Sequence, residues 1–165
     1  MAGAPWGGSE ELWCALGQEA LRQGHHVCVS VYYWKNRPGK IQKLSENGAK
    51  VEVRNRILYS DLKGKVKGKL IQFFLAEMQL KSFIQKNEPD VLLISLGALC
   101  ELEIEPILSF IEKLNKPFYL VVHSNLANHV FPILKMRRIK VVLEKAQKVF
   151  FVSKRLIDQA ERQLA

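Results

Sequence analysis

Two short stretches of this sequence carry residues that could bind or transform a ligand. The first is the pair Gly7 and Gly8, which stands directly before a helical apolar pattern. Glycine lets backbone N–H groups at a helix N-terminus approach a ligand such as a phosphate closely. The second is VVHSN, in which His123 ends an apolar run and an imidazole can exchange protons near neutral pH. Ser124 and Asn125, which follow it, could bind substrate or cap the next helix.

The glycine pair has a structural alternative, which is a turn with nothing bound. The segment GGSEE lacks the Lys-Ser/Thr of a P-loop and the spacing of the dinucleotide-binding fingerprint. Ser9 is the natural N-cap of the helix that follows. Ser95 and Gly97 end a second apolar run at the same predicted edge, and Ser95 is a further candidate for substrate binding. Ser153 is most simply the N-cap of the last helix.

The residue spacing does not support metal or triad chemistry. No group of histidine, cysteine and acidic residues has the spacing of metal ligands, and no Ser–His–Asp arrangement is suggested. Glu101, Glu103 and Glu105 alternate in a turn region, where a solvated acidic loop explains them better than a cation site does. We therefore expect no metal ion and no other cofactor.

The elements that must position these residues alternate between helix and strand along the chain. Five apolar or β-branched runs predict strands, and the segments around them have helical periodicity. This order is typical of an α/β fold with a doubly wound, mostly parallel sheet, assigned to one domain over residues 1–165. Ligands bind such sheets at the carboxyl ends of the strands, where the glycine pair and His123 are expected. The first strand of the usual pattern is missing, because MAGAP offers no apolar run.

Several elements can be predicted with their bounds. The helices are expected over 10–23, 38–47, 66–87, 106–115, 127–146 and 154–164, and Pro132 should mark a start or a kink in the fifth of them. Gly24 and Gly48 should end the first two of them. The first helix is expected to turn four side chains inward, namely Trp13, Leu16, Ala20 and Leu21. VLLISL, FYLVV and KVFFV lack polar alternation, so they predict strands that are buried on both faces.

Length and composition define the class of protein. The 165 residues, 48% of them hydrophobic, suffice for one compact domain or for half of a two-domain protein. Cys14, Cys28 and Cys100 are too few and too far apart for a disulfide framework, which favours reduced, buried thiols. No apolar run approaches the roughly 20 residues of a membrane span. We therefore expect a cytoplasmic protein.

The net charge of +9 is concentrated in residues 35–69, where eleven Lys and Arg stand against three acidic residues. Arg54 and Arg56 open a basic loop, 54–65, and are candidates for binding a phosphorylated ligand or for peripheral contact with an anionic membrane. A solvated basic face is the structural alternative. Two other hypotheses are a stand-alone basic module for nucleic acid or an acidic partner, and a degenerate nucleotide-binding Rossmann protein. Nucleic acid is the less favoured partner, because no RNA- or DNA-binding motif is present.

Four segments of the chain resemble the N-terminal domain of family 4 glycosyltransferases. The first is PWGGSEELW with the following ALGQEALRQGHHVCVSV, which resembles a Gly-Gly-x-Glu loop and the helix exit that recurs after it. The other three are PDVLLIS, KPFYLVVHSN and AQKVFFVSKRLIDQ, which occur in the same order as the landmarks of that domain. The resemblance covers essentially all 165 residues.

This resemblance implies the acceptor-side half of a GT-B enzyme, a fold made of two Rossmann-like domains. It implies transfer of a sugar from a nucleotide-sugar donor to a glycan, lipid or small-molecule acceptor, with retention of configuration and without an obligatory metal ion. Gly7, Gly8 and Ser9 would belong to the loop near the donor diphosphate. His123 would match the histidine that contacts the donor sugar, and the basic loop would lie in the variable acceptor region.

The resemblance also implies a C-terminal domain that holds the nucleotide-sugar and that these residues do not contain. In the family, that domain supplies a Glu-x7-Glu region and the Arg or Lys that neutralise the leaving diphosphate. Such electrostatic stabilisation is usually a large share of the catalytic effect. We therefore expect the 165-residue chain alone to be inactive as a transferase.

Overall fold

The computed structural model of the protein describes residues 7–33, 35–36, 38–54 and 66–165, with the backbone alone for 66–74 and 76. Helices and strands alternate along these residues. The elements are α1 (Gly8–Arg22), β1 (Cys28–Tyr32), α2 (Gly39–Glu46), β2 (Lys50–Arg54), α3 (Val66–Asn87), β3 (Leu92–Leu96), a 3₁₀ helix (Leu99–Glu103), α4 (Glu105–Glu112), β4 (Phe118–Val122), α5 (Ile133–Lys145), β5 (Lys148–Phe151) and α6 (Lys154–Leu164). The predicted alternation is confirmed.

The described strands form two parallel sheets. The chain divides into a first unit, residues 1–87, and a second unit, residues 88–165. In the first unit β1 pairs with β2, and in the second unit the strand order is β3-β4-β5. All three strand pairings are parallel, so the mixed α/β organisation with parallel strands is confirmed. Among the described helices, none has both the length and the apolar character that a membrane crossing requires.

The first unit buries one stripe of α1 against α2 and the β1–β2 sheet. Its buried residues and the half-buried residues packed on them are Cys14, Leu44, Ala49, Trp13, Leu21, Val27, Val29 and Val51. The prediction that Leu16 faces inward is wrong, since 46% of it is exposed, whereas Cys14 is 2% exposed. The physical reason is that the buried stripe passes through Cys14, Gly17 and Leu21 at helical spacing, which leaves Leu16 on the outer side.

Two glycines end helices in the first unit as predicted. Gly24 and Gly48 have φ values of +85° and +103°, a region that side chains other than glycine rarely adopt. After α1, the N–H of Gly24 donates to Leu21 O and that of His25 to Ala20 O, the paired bonds of a Schellman motif. The same two bonds recur after α2, where Gly48 follows Asn47. These turns direct the chain from each helix into the next strand.

The second unit buries one face of its sheet. Phe118, Leu120 and Val122 of the central strand β4 are at most 1% exposed. On the opposite face, Leu93 of β3 is 42% exposed and Phe150 of β5 is 44% exposed. Val121 of β4, on this second face, is 4% exposed, so the prediction of strands buried on both faces fits β4, but it is wrong for β3 and β5. The reason is that exposure alternates along these outer strands, so only one of their faces is covered.

Helix bounds in the second unit follow the prolines. Pro106 lies in the first turn of α4, where a missing N–H is tolerated. Pro132 is the N-cap of α5, so it marks the start of this helix, which was one of its two predicted roles. The helix begins at Ile133, later than the predicted region from 127. Ser153 is the N-cap residue of α6, as predicted, although its hydroxyl makes no capping hydrogen bond.

Candidate functional site

The carboxyl edge of the β3–β4–β5 sheet brings two predicted site residues together. Ser95 Oγ lies 3.0 Å from His123 Nε2. Ser95 is paired in register with Val121, two residues before His123, so parallel pairing places the two side chains on the same face. The backbone N–H of His123 also donates to Leu96 O at 3.1 Å, which extends the ladder to the strand tip. The expected shared edge is therefore confirmed within the second unit.

Ser124 joins the turn after β4 to the turn after β3. Its hydroxyl donates to the carbonyl of Gly97 at 2.6 Å, and its own carbonyl accepts from the N–H of Leu99 at 3.3 Å. The N–H of Gly97 in turn donates to Glu101 Oε2 at 3.2 Å. The turns that follow Ser95 and His123 are therefore connected to each other by hydrogen bonds.

Asn125 does not cap α5, whose N-cap is Pro132, and substrate binding by Asn125 stays a prediction. Its Nδ2 donates to Gln163 Oε1 of α6 at 2.6 Å. Gln163 Nε2 donates back to Leu126 O at 2.7 Å and to His129 O at 2.9 Å. These bonds tie the segment after β4 to the last helix, so the amide of Asn125 turns toward α6.

The half-buried imidazole of His123 and the exposed hydroxyl of Ser95 can act as a proton-sharing pair. A separation of 3.0 Å lies within hydrogen-bond reach, and the tautomer decides which of the two groups donates. The pair can present an oriented imidazole to a substrate hydroxyl. It also has the spacing of a serine with its base. Sequence reasoning placed both residues at one edge but missed this contact, which the polar ends of two adjacent parallel strands could have indicated.

The glycine pair adopts a different start of α1 from the one predicted. The helix begins at Gly8, and the carbonyl of the extended Gly7 (φ −163°) accepts from the N–H groups of Glu10 and Glu11, both at 3.1 Å. Ser9 therefore lies inside the helix, and its hydroxyl donates to Glu10 Oε2 at 2.8 Å. The prediction of Ser9 as N-cap is wrong, because the N-cap position belongs to Gly7.

Nothing in the described surroundings of Gly8 requires a glycine. A Cβ at this position would have no atom within 4 Å. We expect Gly8→Ala to leave the stability of the first unit unchanged or to raise it by up to about 1 kcal/mol, since alanine loses less entropy in a helix. Urea unfolding followed by tryptophan fluorescence would measure this, because Trp13 lies in α1. Gly24→Ala is the contrasting variant and should destabilise, as its φ is +85°. A loss of stability in Gly8→Ala equal to that of Gly24→Ala would contradict the expectation.

The three alternating glutamates do not form a solvated loop, so that prediction is wrong. Glu101 accepts from Gly97 N–H, and Glu103 Oε1 pairs with Nε2 of the half-buried His129. The ring of His129 also packs edge-on against Phe131, with 4.8 Å between the ring centroids. The partner of Glu101 is only four residues away, whereas Glu103 pairs with a residue 26 positions along the chain, which local residue patterns do not reveal.

Glu105 belongs to an ion-pair network between α4 and α5. Arg138 Nη1 donates to Glu105 Oε1 at 2.7 Å, and the same guanidinium binds both oxygens of Glu112, at 2.7 and 2.6 Å. Lys135 pairs with Glu105 Oε2, and Ser109 Oγ donates to Oε1 at 2.9 Å. The hydrogen bond from Lys135, followed by that from Arg138, lowers the pKa of Glu105 to about 2. Bonds from Arg138 likewise lower the pKa of Glu112.

The described part of the basic segment is partly neutralised. Lys40 Nζ lies 2.6 Å from Glu11 Oε2, and Lys50 Nζ lies 3.6 Å from Glu52 Oε1. Arg54 is half-buried at the end of β2, with its guanidinium carbon 4.5 Å from the centroid of the Tyr32 ring. Arg56 and the rest of the loop up to residue 65 lie outside the described residues. Contact of residues 35–69 with a membrane surface therefore stays a prediction.

The described residues contain no group of three or more His, Cys, Asp or Glu side chains that could hold a metal ion. All three cysteines are free thiols. Cys14 is buried, and burial raises the pKa of its thiol, whereas Cys28 and Cys100 are half-buried. The prediction of buried thiols is therefore confirmed for Cys14 alone.

Comparison with known proteins adds no assignment to this geometry. No protein-family model matches the chain, and no curated protein matches it.

Proposed function

We propose that this chain is the N-terminal, acceptor-side domain of a retaining glycosyltransferase of the GT-B type. The sugar would pass from a nucleotide-sugar donor to an acceptor. The observation that carries the proposal is the contact of Ser95 with His123 at the carboxyl edge of a parallel sheet, where α/β proteins bind their ligands. The resemblance of four sequence segments to family 4 glycosyltransferases supports the same assignment.

The pairing of the strands supports a doubly wound sheet as part of this proposal. If β1 to β5 are renumbered as strands two to six, the β1–β2 pair joins strands 2 and 3, and the second sheet has the order 4-5-6. Both partial orders occur in the strand order 3-2-1-4-5-6 of doubly wound sheets. In that arrangement position one is central, and none of the five described strands fills it. In a doubly wound sheet of this order, the direction in which successive strands are added reverses beside position one. Ligands bind at this point of reversal.

In the proposed enzyme, His123 contacts the donor sugar and Ser95 orients the imidazole. Gly7 and Gly8 lie near the donor diphosphate, where the absence of side chains lets backbone N–H groups approach. The reaction retains the anomeric configuration and requires no metal ion. A second lobe neutralises the leaving diphosphate, so the 165 residues alone bind substrate weakly and do not turn it over.

Saturation-transfer NMR on the 165-residue chain with a panel of nucleotide-sugars tests this proposal. We expect saturation of the sugar-ring protons at millimolar ligand, its loss in His123→Ala and its retention in His26→Ala, an exposed histidine before β1. Robust sugar transfer or nucleotide-sugar hydrolysis by the chain alone would contradict the proposal that turnover requires a second lobe. Polynucleotide binding with a steep salt dependence, and no response to nucleotide-sugars, would favour a basic binding module instead.

A further inference from the structure

A cavity of about 310 Å³ lies in the first unit, between α3 and the β1–β2 sheet. Side chains alternate along strands, so Ser30 of β1 shares one sheet face with Glu52 and Arg54 of β2. The alternate residues of both strands face α1 and α2. From α3, Met78 and Phe83 line the cavity as part of one helical stripe. The cavity therefore has a polar floor on the sheet, and its helix wall combines the apolar Leu75, Met78 and Phe83 with the polar Gln79 and Ser82.

The floor contains polar groups that lack partners among the described residues. Arg54 Nε and Ser30 Oγ are both buried without a hydrogen bond in the described part of the chain. The guanidinium stacks on Tyr32, and its Nη2 reaches Ser30 O only at 3.5 Å. Burial lowers the pKa of Arg54, and Tyr32, which also forms a side-chain hydrogen bond with the guanidinium, opposes this in part, so Nε is the Arg54 atom left without a partner. A desolvated donor of this kind is unfavourable unless an acceptor meets it.

The acidic residue that shares the floor does not supply that acceptor. Glu52 Oε1 accepts from Asn87 Nδ2 at 3.1 Å and lies 3.3 Å from Lys86 Nζ and 3.6 Å from Lys50 Nζ. The hydrogen bond from Asn87, followed by that from Lys86, lowers the pKa of Glu52, so the carboxylate stays ionised. Glu52 is thus paired with Lys86 and Lys50 rather than with Arg54. Its negative charge disfavours a ligand with two negative charges nearby.

We infer that this cavity binds a small organic monocarboxylate with an apolar body. The carboxylate accepts from the planar guanidinium of Arg54 in the paired geometry that this side chain favours, and from Ser30 Oγ. The apolar body packs against Met78 and Phe83. A volume of about 310 Å³ is at the lower end of small-molecule sites, so the ligand is small. Phosphate fits less well, because its second negative charge meets Glu52.

This inference goes beyond the proposed sugar transfer and does not require it. The site lies within the first unit, and binding is measured without turnover. Failure of the test below would therefore leave the assignment of His123 untouched, and failure of the His123 test would leave this site untouched.

Titration of the intact 165-residue chain by calorimetry and amide NMR tests the inference, with 3-phenylpropionate as the probe. We expect saturable binding that perturbs the amides of β2 and of α3 near Met78. The neutral 3-phenylpropanamide, of nearly the same shape, should bind at least about tenfold more weakly, since it lacks the charge that Arg54 recognises. Inorganic phosphate should compete poorly.

Three variants decide whether Arg54 and this cavity are responsible. Arg54→Gln should lower the affinity for phenylpropionate at least about tenfold by removing the paired donors. Met78→Trp should lower the affinity similarly by filling the cavity. Because Met78 is 50% exposed, we expect this variant to fold, and it can therefore test the inference if Arg54→Gln does not fold. Arg22→Gln, on the exposed side of α1, should bind as the parent does.

Several results would overturn the inference. These are equal affinity for the acid and its amide, parental affinity in a folded Arg54→Gln or in Met78→Trp, and the absence of saturable binding. Phosphate binding as tight as that of phenylpropionate would overturn the assignment to monocarboxylates.

Discussion

Replacing His123 with alanine is expected to lower kcat/KM for sugar transfer about 100-fold in an enzyme that contains this domain. Loss of one preorganised polar contact to the reacting sugar costs about 2.7 kcal/mol of transition-state stabilisation. Ser95 Oγ lies 3.0 Å from the imidazole, which stands at the tip of β4. Steady-state transfer of labelled sugar measures the effect.

Two companion variants make the His123 result specific. His26→Ala removes an exposed histidine ahead of β1 and should leave kcat/KM within about twofold of the parent, as surface substitutions usually do. Ser95→Ala should reduce turnover less than His123→Ala, because Ser95 only orients the imidazole. Parental turnover in His123→Ala would remove this residue from the site. Equal losses in Ser95→Ala and His123→Ala, together with esterase activity, would point to a serine nucleophile and its base.

Replacing Arg138 with methionine is expected to destabilise the second unit by about 1–2 kcal/mol at neutral pH. The change keeps the aliphatic stem but removes the guanidinium that binds Glu112 with two hydrogen bonds and Glu105 with a third. Glu112 is three-quarters buried, so it loses more than an exposed partner would, whereas half-exposed Glu105 is partly screened by solvent. Hydrogen exchange at the amides of β4 measures the stability of this unit directly.

The same network predicts how stability depends on acid. The pKa of Glu105 is about 2 in the folded protein and near 4.3 in an unfolded chain, so the unfolded state binds more protons between these values. The contribution of Glu105 is therefore complete above about pH 5 and is lost as the pH falls toward 2. Arg138→Met should flatten this dependence in part, because Lys135 still pairs with Glu105. Arg137→Met, an exposed neighbour on α5, should retain it, and a parental acid profile in Arg138→Met would contradict the role of the network.

Local sequence patterns predicted the elements well where a local cause determines them. The bounds of α3 and α6 match the prediction, because apolar periodicity and flanking breakers act over a few residues. Gly24 and Gly48 end their helices as expected, since a left-handed residue is required there. Pro132 marks the start of α5, one of the two roles predicted for it, although the predicted helical region began five residues before it.

The errors arise where residues distant in sequence decide the outcome. Leu93 and Phe150 were predicted to be buried because they are apolar, but both are exposed in the structure. Their burial depends on which face of the sheet another element covers. Glu103 and His129 are 26 residues apart, so no local sequence pattern indicates that they pair. The sequence predicted part of the site, since the strand ends indicated that Ser95 and His123 lie at one sheet edge. Their contact could not be predicted, because it depends on the pairing register of β3 with β4.

The strand order of the second unit also has a consequence for synthesis on the ribosome. β4 pairs with β3, which is made before it, but its other edge pairs with β5, which begins only at Lys148. At about 5–20 residues per second, that edge stays open for roughly 1–5 s after Val122 has been translated. During this interval an apolar strand offers unpaired backbone groups to other nascent chains. The Ser95–His123 contact can form before β5 exists, so the candidate site precedes completion of the sheet that supports it.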